Sequence, residues 1–280
     1  MASRGEREGE RGEGLWLWRE ALGLCLSMVG GDAFADVLKS HHIPQIRREE
    51  LSGLEYDILL SFVYPCIIEA EHLERAQWYA VNLHESPLPR YRGCNGYSHA
   101  ILENDTTYGT TLHTMEAELD AGEIIDQMIF PIESAETARE LYLRTAEYST
   151  QLLRSNLTVL ASGSIPRRSM DSAIHPIHAR SSLVDLKRIP VDIISDIASV
   201  ERIARAMDFP PFAPAYFERE GQSHYVFVDG SADRRTHRGD GPLYTAFPAV
   251  ELPEIFLLGT ARRPLVVMEA GRYVNEYPIF

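Results

Sequence analysis

Cysteine is scarce: the chain of 280 residues holds three, Cys25, Cys66 and Cys94. Their odd number and wide spacing exclude a disulfide framework and a cysteine-based zinc site, and fit reduced thiols in a cytoplasmic protein. Long apolar runs are missing as well. The best stretch, residues 15–29, is broken by Arg19 and Glu20, so nothing approaches the roughly 20 apolar residues of a membrane-spanning helix. Positive charge is in deficit, with 27 Lys and Arg against 41 Asp and Glu and a formal net charge of -14. That balance disfavours a surface built mainly to hold nucleic acid. Residues 1–14 alternate Glu with Arg and Gly, unlike an acid-poor transit peptide, and read as a disordered tail. No internal repeat is present.

With 45% hydrophobic and 24% charged residues, the chain can bury a full core and is expected to make one main domain with a smaller appendage. Residues 57–64 form a near-continuous apolar run, the pattern of an interior parallel strand covered on both faces. Helices are predicted over 32–42, over 67–77, from Asn95 to Leu102, and from an N-cap at Ser134 toward Gly163, where Leu141, Thr145, Tyr148 and Leu152 share one face. Strands are predicted over 78–84, 110–115 and 124–132. This alternation up to about residue 165 predicts an α/β domain with a mainly parallel sheet. Beyond it lie proline-rich turns at 209–214, a strand-like stretch over 223–228 and apolar strands toward the end. Two of these, Ile255–Leu258 and Leu265–Met268, either form a homodimer seam or pack back on the main domain.

The strand over 78–84 carries the most informative residues. Asn82 and His84 lie two apart and so point to one side of the sheet, while Leu83 faces the other way. The strand stops at the loop Ser86-Pro87-Leu88-Pro89-Arg90-Tyr91-Arg92-Gly93. An amide and an imidazole at the carboxyl end of a strand occupy the place where open α/β sheets do chemistry. Asp120, within Leu119-Asp120-Ala121-Gly122, is by itself an ordinary turn residue. His113, on a strand, reads as structural.

Asn82-x-His84, the loop ending in Arg92-Gly93, the block Tyr108-Gly109-Thr110-Thr111-Leu112-His113 and Leu119-Asp120-Ala121-Gly122-Glu123-Ile124-Ile125 occur in this order. Over roughly residues 56–165 the chain resembles the formyltransferases that use 10-formyltetrahydrofolate. Arg92-Gly93-Cys94-Asn95-Gly96-Tyr97 and the segment 205–212 are most similar to the sugar N-formyltransferases, which act on nucleotide-linked amino sugars. The resemblance implies a Rossmann-like formyltransferase core over 15–165, with a divergent first βαβ unit, and a helical and β-rich subdomain over 166–280. It implies Asn82, His84 and Asp120 as catalytic residues. It places the folate co-substrate against Pro65, Cys66, Ile67 and Ile68 on one side and Glu116, Ala117 and Glu118 on the other.

For a nucleotide-sugar acceptor, Ser86, Arg90, Arg92, Asn95 and Tyr97 are the candidate contacts, with Arg180, Lys187, Tyr216 and Tyr225 as further cations and stacking rings. No metal is expected. The reaction this implies is formyl transfer to a dTDP- or GDP-linked amino sugar, feeding a cell-surface polysaccharide such as an O-antigen. A methionyl-tRNA formyltransferase shares the chemistry but needs a basic surface, and only small clusters such as Arg234-Arg235 and Arg262-Arg263 are available. A third reading, a non-catalytic binding protein, draws on the unusual amino-terminal segment.

Overall fold

A computed structural model describes residues 25–28, 48–62, 64, 66–170, 175–210, 212–219, 221–228 and 265–270. The expected tail, the helix over 32–42, Pro65 and the apolar stretch 255–258 lie outside the described residues.

A main sheet of six strands has the order β1-β10-β2-β3-β5-β6. Its strands are β1 (Cys25–Met28), β2 (Tyr56–Phe62), β3 (Ala76–His84), β5 (Thr107–Thr114), β6 (Ile124–Pro131) and β10 (Leu265–Ala270). The first four in spatial order run parallel, whereas β5 is antiparallel to both β3 and β6. The sheet is thus mixed, with its parallel half where the apolar runs lie. Every position of β2 is buried, as expected of a strand packed on both faces. The turn from β5 to β6 needs no crossover helix, so the chain simply doubles back.

The helices follow from local signals. Helix α1 (Ala70–Arg75) is shorter than expected because β3 starts at Ala76, already in an extended conformation. Helix α2 (Gly96–Leu102) begins after Asn95, whose φ of 63° closes the preceding turn. Helix α3 (Ala138–Ala161) starts at Thr137, three residues later than Ser134. The reason is a reciprocal cap: Thr137 Oγ1 accepts from the Glu140 N–H at 3.3 Å, and the Glu140 carboxylate accepts from the Thr137 N–H at 3.0 Å.

Helix α3 joins two packing centres. Its second half sets Leu152, Leu153, Leu157 and Leu160 against Ile58, Leu60, Val81, Leu83 and Leu112 of the sheet. Each buried leucine contributes about 1.5–3 kcal/mol. Its first half places Leu141 with Tyr91, Ile101, Tyr108 and Phe130, and there the later chain docks through Ile189 and Met207. A third cluster, with Leu51, Tyr56, Leu59 and Ala80, covers another part of the sheet.

The later chain contributes helix α4 (Ile197–Ala206) and the antiparallel pair β8 (Tyr216–Arg219) and β9 (Gln222–Tyr225). It also supplies β7 (Ile177–His178), which runs parallel to β4 (Arg92–Gly93) in the loop that follows β3. Of the two fates open to Leu265–Met268, the strand takes the intramolecular one: β10 lies between β1 and β2 and pairs with both. Its backbone is therefore not a free seam for a second copy.

The capping box makes a direct prediction. Thr137→Ala removes the acceptor for the Glu140 N–H and should cost about 1 kcal/mol, read as a lower urea midpoint with an unchanged slope.

Candidate active site

The site forms where β3 ends. Leu83 is 1% exposed and packs into the main core, which fixes the strand's rotation and turns Asn82 and His84 to the opposite face. The antiparallel register then sets Asn82 beside His113 of β5. Asn82 Nδ2 lies 3.2 Å from His113 Nε2, and His113 Nδ1 lies 2.8 Å from the Thr114 carbonyl oxygen. One tautomer satisfies both contacts: Nδ1–H donates to the carbonyl, and the bare Nε2 accepts from the Asn82 amide. The second Asn82 amide hydrogen is left for another acceptor. Burial pushes the His113 imidazole down to about 4, against the pull of Asp120 and with the help of repulsion from His84.

Asp120 arrives from the β5–β6 loop. Its φ of 49° is in the left-handed region, which Asp tolerates better than most residues. The turn is fixed nearby by Gly122, where an added Cβ would sit 1.8 Å from the Thr114 carbonyl oxygen. The carboxylate lies between the two imidazoles, with Oδ2 at 3.7 Å from His84 Nε2 and Oδ1 at 3.8 Å from His113 Nε2. Both separations exceed hydrogen-bonding distance. Oδ2 accepts from the Gly93 N–H at 2.9 Å, and His84 Nε2 lies 3.2 Å from the Tyr91 carbonyl oxygen. The three residues expected to act together thus lie in one place.

Arg92 ties the two loops to each other. It is 2% exposed, its Nε donates to the Leu119 carbonyl at 3.1 Å, and a terminal nitrogen pairs with Glu118 at 2.7 Å. It was expected at an acceptor diphosphate, but it is buried and committed to the residues preceding Asp120. Other candidate acceptor contacts are engaged in the same way. Ser86 donates to the Tyr91 carbonyl at 3.1 Å and shapes the turn. Arg90 pairs with Glu103 at 2.8 Å and Asp105 at 2.7 Å. Asn95 donates to the Arg180 carbonyl at 3.0 Å and to Ser182 Oγ at 3.1 Å, which pins the segment carrying β7. Tyr97 donates to Glu85. These side chains build the loop instead of converging as an open cationic pocket.

A cleft of about 300 Å³ is lined by Ala70, Leu73, Glu74, Met115, Glu116 and Ala117, the last three from the β5–β6 loop that also carries Asp120. Two of the residues expected at the folate, Glu116 and Ala117, line it. Ile68 packs against the Leu51 and Leu59 cluster, Ile67 is 74% exposed, and Cys66 is a half-buried free thiol. Sequence reasoning missed two residues, His113 and Glu85. The signal for His113 was its place in Thr111-Leu112-His113, on the same alternate positions that would face Asn82 across an antiparallel pair. Glu85, directly after His84, offered no signal of its own.

Residues 37–157 match the family model described as formyl transferase. Among solved structures, the chain is similar to a 4-N formyltransferase from Francisella tularensis, with a TM-score of 0.61 and 22% identity over 70% of this chain and 81% of that one. A sugar N-formyltransferase from a Shewanella species gives 0.60 and 19%, over 73% of this chain and 97% of that one. An N-formyltransferase from Helicobacter canadensis, solved with folinic acid and dTDP-3-aminofucose, gives 0.57 and 21%, over 72% and 86%. Over these lengths the likeness establishes a shared fold.

Arg92 gives the test of how the loops are joined. Arg92→Met withdraws its donors from the Leu119 carbonyl and should destabilise the fold by about 1–3 kcal/mol in urea unfolding. Turnover at a temperature where the variant stays folded should fall with it, because Asp120 follows Leu119 directly.

Proposed function

We propose that this chain, which carries a formyl transferase domain over residues 37–157, moves the formyl group of 10-formyltetrahydrofolate to the amine of a nucleotide-linked amino sugar. The carrying observation is that Asn82, His84 and Asp120 meet at the carboxyl end of β3, around His113. The relative from Helicobacter canadensis, solved with a folate and a dTDP-amino sugar, supports the same choice of co-substrate and acceptor. The setting is the cytoplasm, and the product enters the supply of a surface polysaccharide.

The residues divide the work as the reaction requires. A neutral amine attacks the formyl carbon, a C–N bond forms, and the carbonyl oxygen becomes an oxyanion. Asn82 supplies the amide hydrogen that His113 leaves unused and holds that oxygen, and His84, whose Nε2 faces the Tyr91 carbonyl and Asp120, joins it once it has taken up the proton of the amine. The amine gives up its extra proton at the His84–Asp120 pair, whose imidazole is 15% exposed while the carboxylate is buried. As the oxyanion collapses, the bond to the folate nitrogen breaks, and His84 returns a proton to that nitrogen. Asp120 stays in place throughout, oriented by the Gly93 N–H and opposite both imidazoles.

We assign the heterocycle of the folate to this cleft. Its walls combine Leu73, Met115 and Ala117 with the carboxylates of Glu74 and Glu116, and such pockets use a few polar groups to orient a mostly apolar contact. The Met115 N–H is held by the Ala80 carbonyl at 2.8 Å, so this wall is continuous with the sheet.

A product assay with 10-formyltetrahydrofolate and a panel of dTDP- and GDP-linked amino sugars tests this reading. Turnover is expected with one of them. His84→Ala and Asp120→Ala should each reduce kcat by about 10²–10⁴-fold, while folate affinity, read by fluorescence quenching, stays within a few-fold. Full activity in either variant would remove that residue from the mechanism. Formylation of charged initiator tRNA, with no sugar turned over, would overturn the acceptor.

A further inference from the structure

Glu85 follows His84 directly, yet its carboxyl group turns into the protein and takes no part in the chemistry above. One oxygen, Oε2, accepts a short hydrogen bond from Tyr97 Oη on α2. The other, Oε1, is sealed from solvent and has no partner. The backbone carbonyl of Glu85 accepts from Tyr108 Oη on β5 at 2.9 Å. The Tyr97 ring packs against Tyr108 at 5.4 Å and edge-on to Tyr142 of α3 at 5.3 Å. The titratable groups that face Glu85 are therefore phenols: Tyr97 from α2, Tyr108 from β5 and, behind Tyr97, Tyr142 from α3. Among the described residues no cation pairs with it.

An ionised carboxylate in this cage would lack both solvent and a counter-charge, which is costly. The neutral acid meets the same surroundings at much lower cost. Burial accordingly pushes the Glu85 carboxyl up to about 7, and the Tyr97 hydrogen bond offsets only part of that. Tyr97 and Tyr108 are also driven upward by burial and by Glu85, so both keep their protons.

We propose that Glu85 is a positioning residue of the transfer site: as the neutral acid it fastens the end of β3, and His84 with it, to α2 through Tyr97. The tie acts one residue from the imidazole, whose distances to Asp120 and the Tyr91 carbonyl depend on where the strand stops. Ionisation strengthens the Tyr97 hydrogen bond but puts charge on the sealed, partnerless Oε1 among three phenols, a cost that bond offsets only in part, so the strand end is held less firmly. Turnover then declines with rising pH on a limb that belongs to Glu85. The kinetic consequence rests on the formyl-transfer reading; the effect on stability does not.

The sign for stability follows from linkage. The folded pKa lies above the ordinary carboxylate value, so between pH 4.5 and 7 the folded state holds more protons than the unfolded chain, and stability falls as pH rises through that window. The test is the thermal midpoint of wild type, Glu85→Gln and Glu85→Ala between about pH 4.5 and 8.5, with kcat and KM over the same range. Glu85→Gln retains the shape of the neutral acid. Its midpoint should match wild type at the acid end, exceed it increasingly toward pH 7 and run parallel above. Its turnover at pH 6 should stay within about two-fold of wild type, without the alkaline decline. Glu85→Ala should lose about tenfold or more in kcat at every pH, with the folate KM unchanged. Parallel midpoint curves for wild type and Glu85→Gln, or superimposable pH–rate profiles, would overturn the proposal. Diverging midpoints in a wild type that turns over no sugar would support the tie and count against the formyl-transfer reading instead.

Discussion

The buried guanidinium of Arg92 joins two loops that the sheet alone would leave independent. One follows β3 and carries the backbone that faces His84; the other follows β5 and carries Asp120. Their joint is the bond from Arg92 to the Leu119 carbonyl, reinforced when the Gly93 N–H reaches the Asp120 carboxylate. An arginine suits this place because its planar fork satisfies a carbonyl and a carboxylate together, which a lysine does less well. The Cβ-free backbone of Gly93 has its own reason. With φ at 86° and the His178 carbonyl oxygen 2.4 Å from an added Cβ, a side chain there would push β7 off β4. The loop is thereby held from both sides, by Asp120 and by the later chain.

How much of this was legible in the sequence depends on the range of the interaction. The strand over 78–84, its buried Leu83 and the shared face of Asn82 and His84 follow from period-two geometry and a proline stop, and all are local. The capping box at Thr137 is equally local, and a Thr three residues before a Glu is a stronger pattern than Ser134 offers. The commitments of Arg90, Arg92 and Asn95 were not readable. Their partners, Glu103 and Asp105, Leu119 and Glu118, and Arg180 with Ser182, come from other loops. A cation in a loop looks the same in sequence whether it meets a ligand or a neighbouring acid.

The place of β10 was open for the same reason. A mostly apolar hexamer such as Leu265–Ala270 fits any sheet that offers two unpaired edges. Only the parallel register with Ile58–Phe62 on one side and Cys25–Met28 on the other decides between a core strand and a seam. His113 is a subtler case. Its type and its strand were both legible, but its role needs the pairing of β5 with β3, which turns a residue that is structural by burial into the anchor of Asn82.

The site is built so that few of its polar groups carry charge. Burial keeps His113 neutral, and the fixed tautomer makes it an acceptor for Asn82. Glu85 is held as an acid among phenols, and the nearby arginines are matched by Glu103, Asp105 and Glu118. Asp120 is then the carboxylate that both imidazoles face, at 3.7 and 3.8 Å. Away from bulk water an unmatched charge exerts more force, so on the formyl-transfer reading this arrangement would direct the local field at His84. On the formyl-transfer reading, a proton leaving an incoming amine would move toward His84 and Asp120, because the buried imidazole of His113 resists protonation and Glu85 keeps its own proton below about pH 7. Keeping the surroundings neutral is therefore part of how the pair would work, and it explains why polar residues so close to the chemistry are sealed away from it.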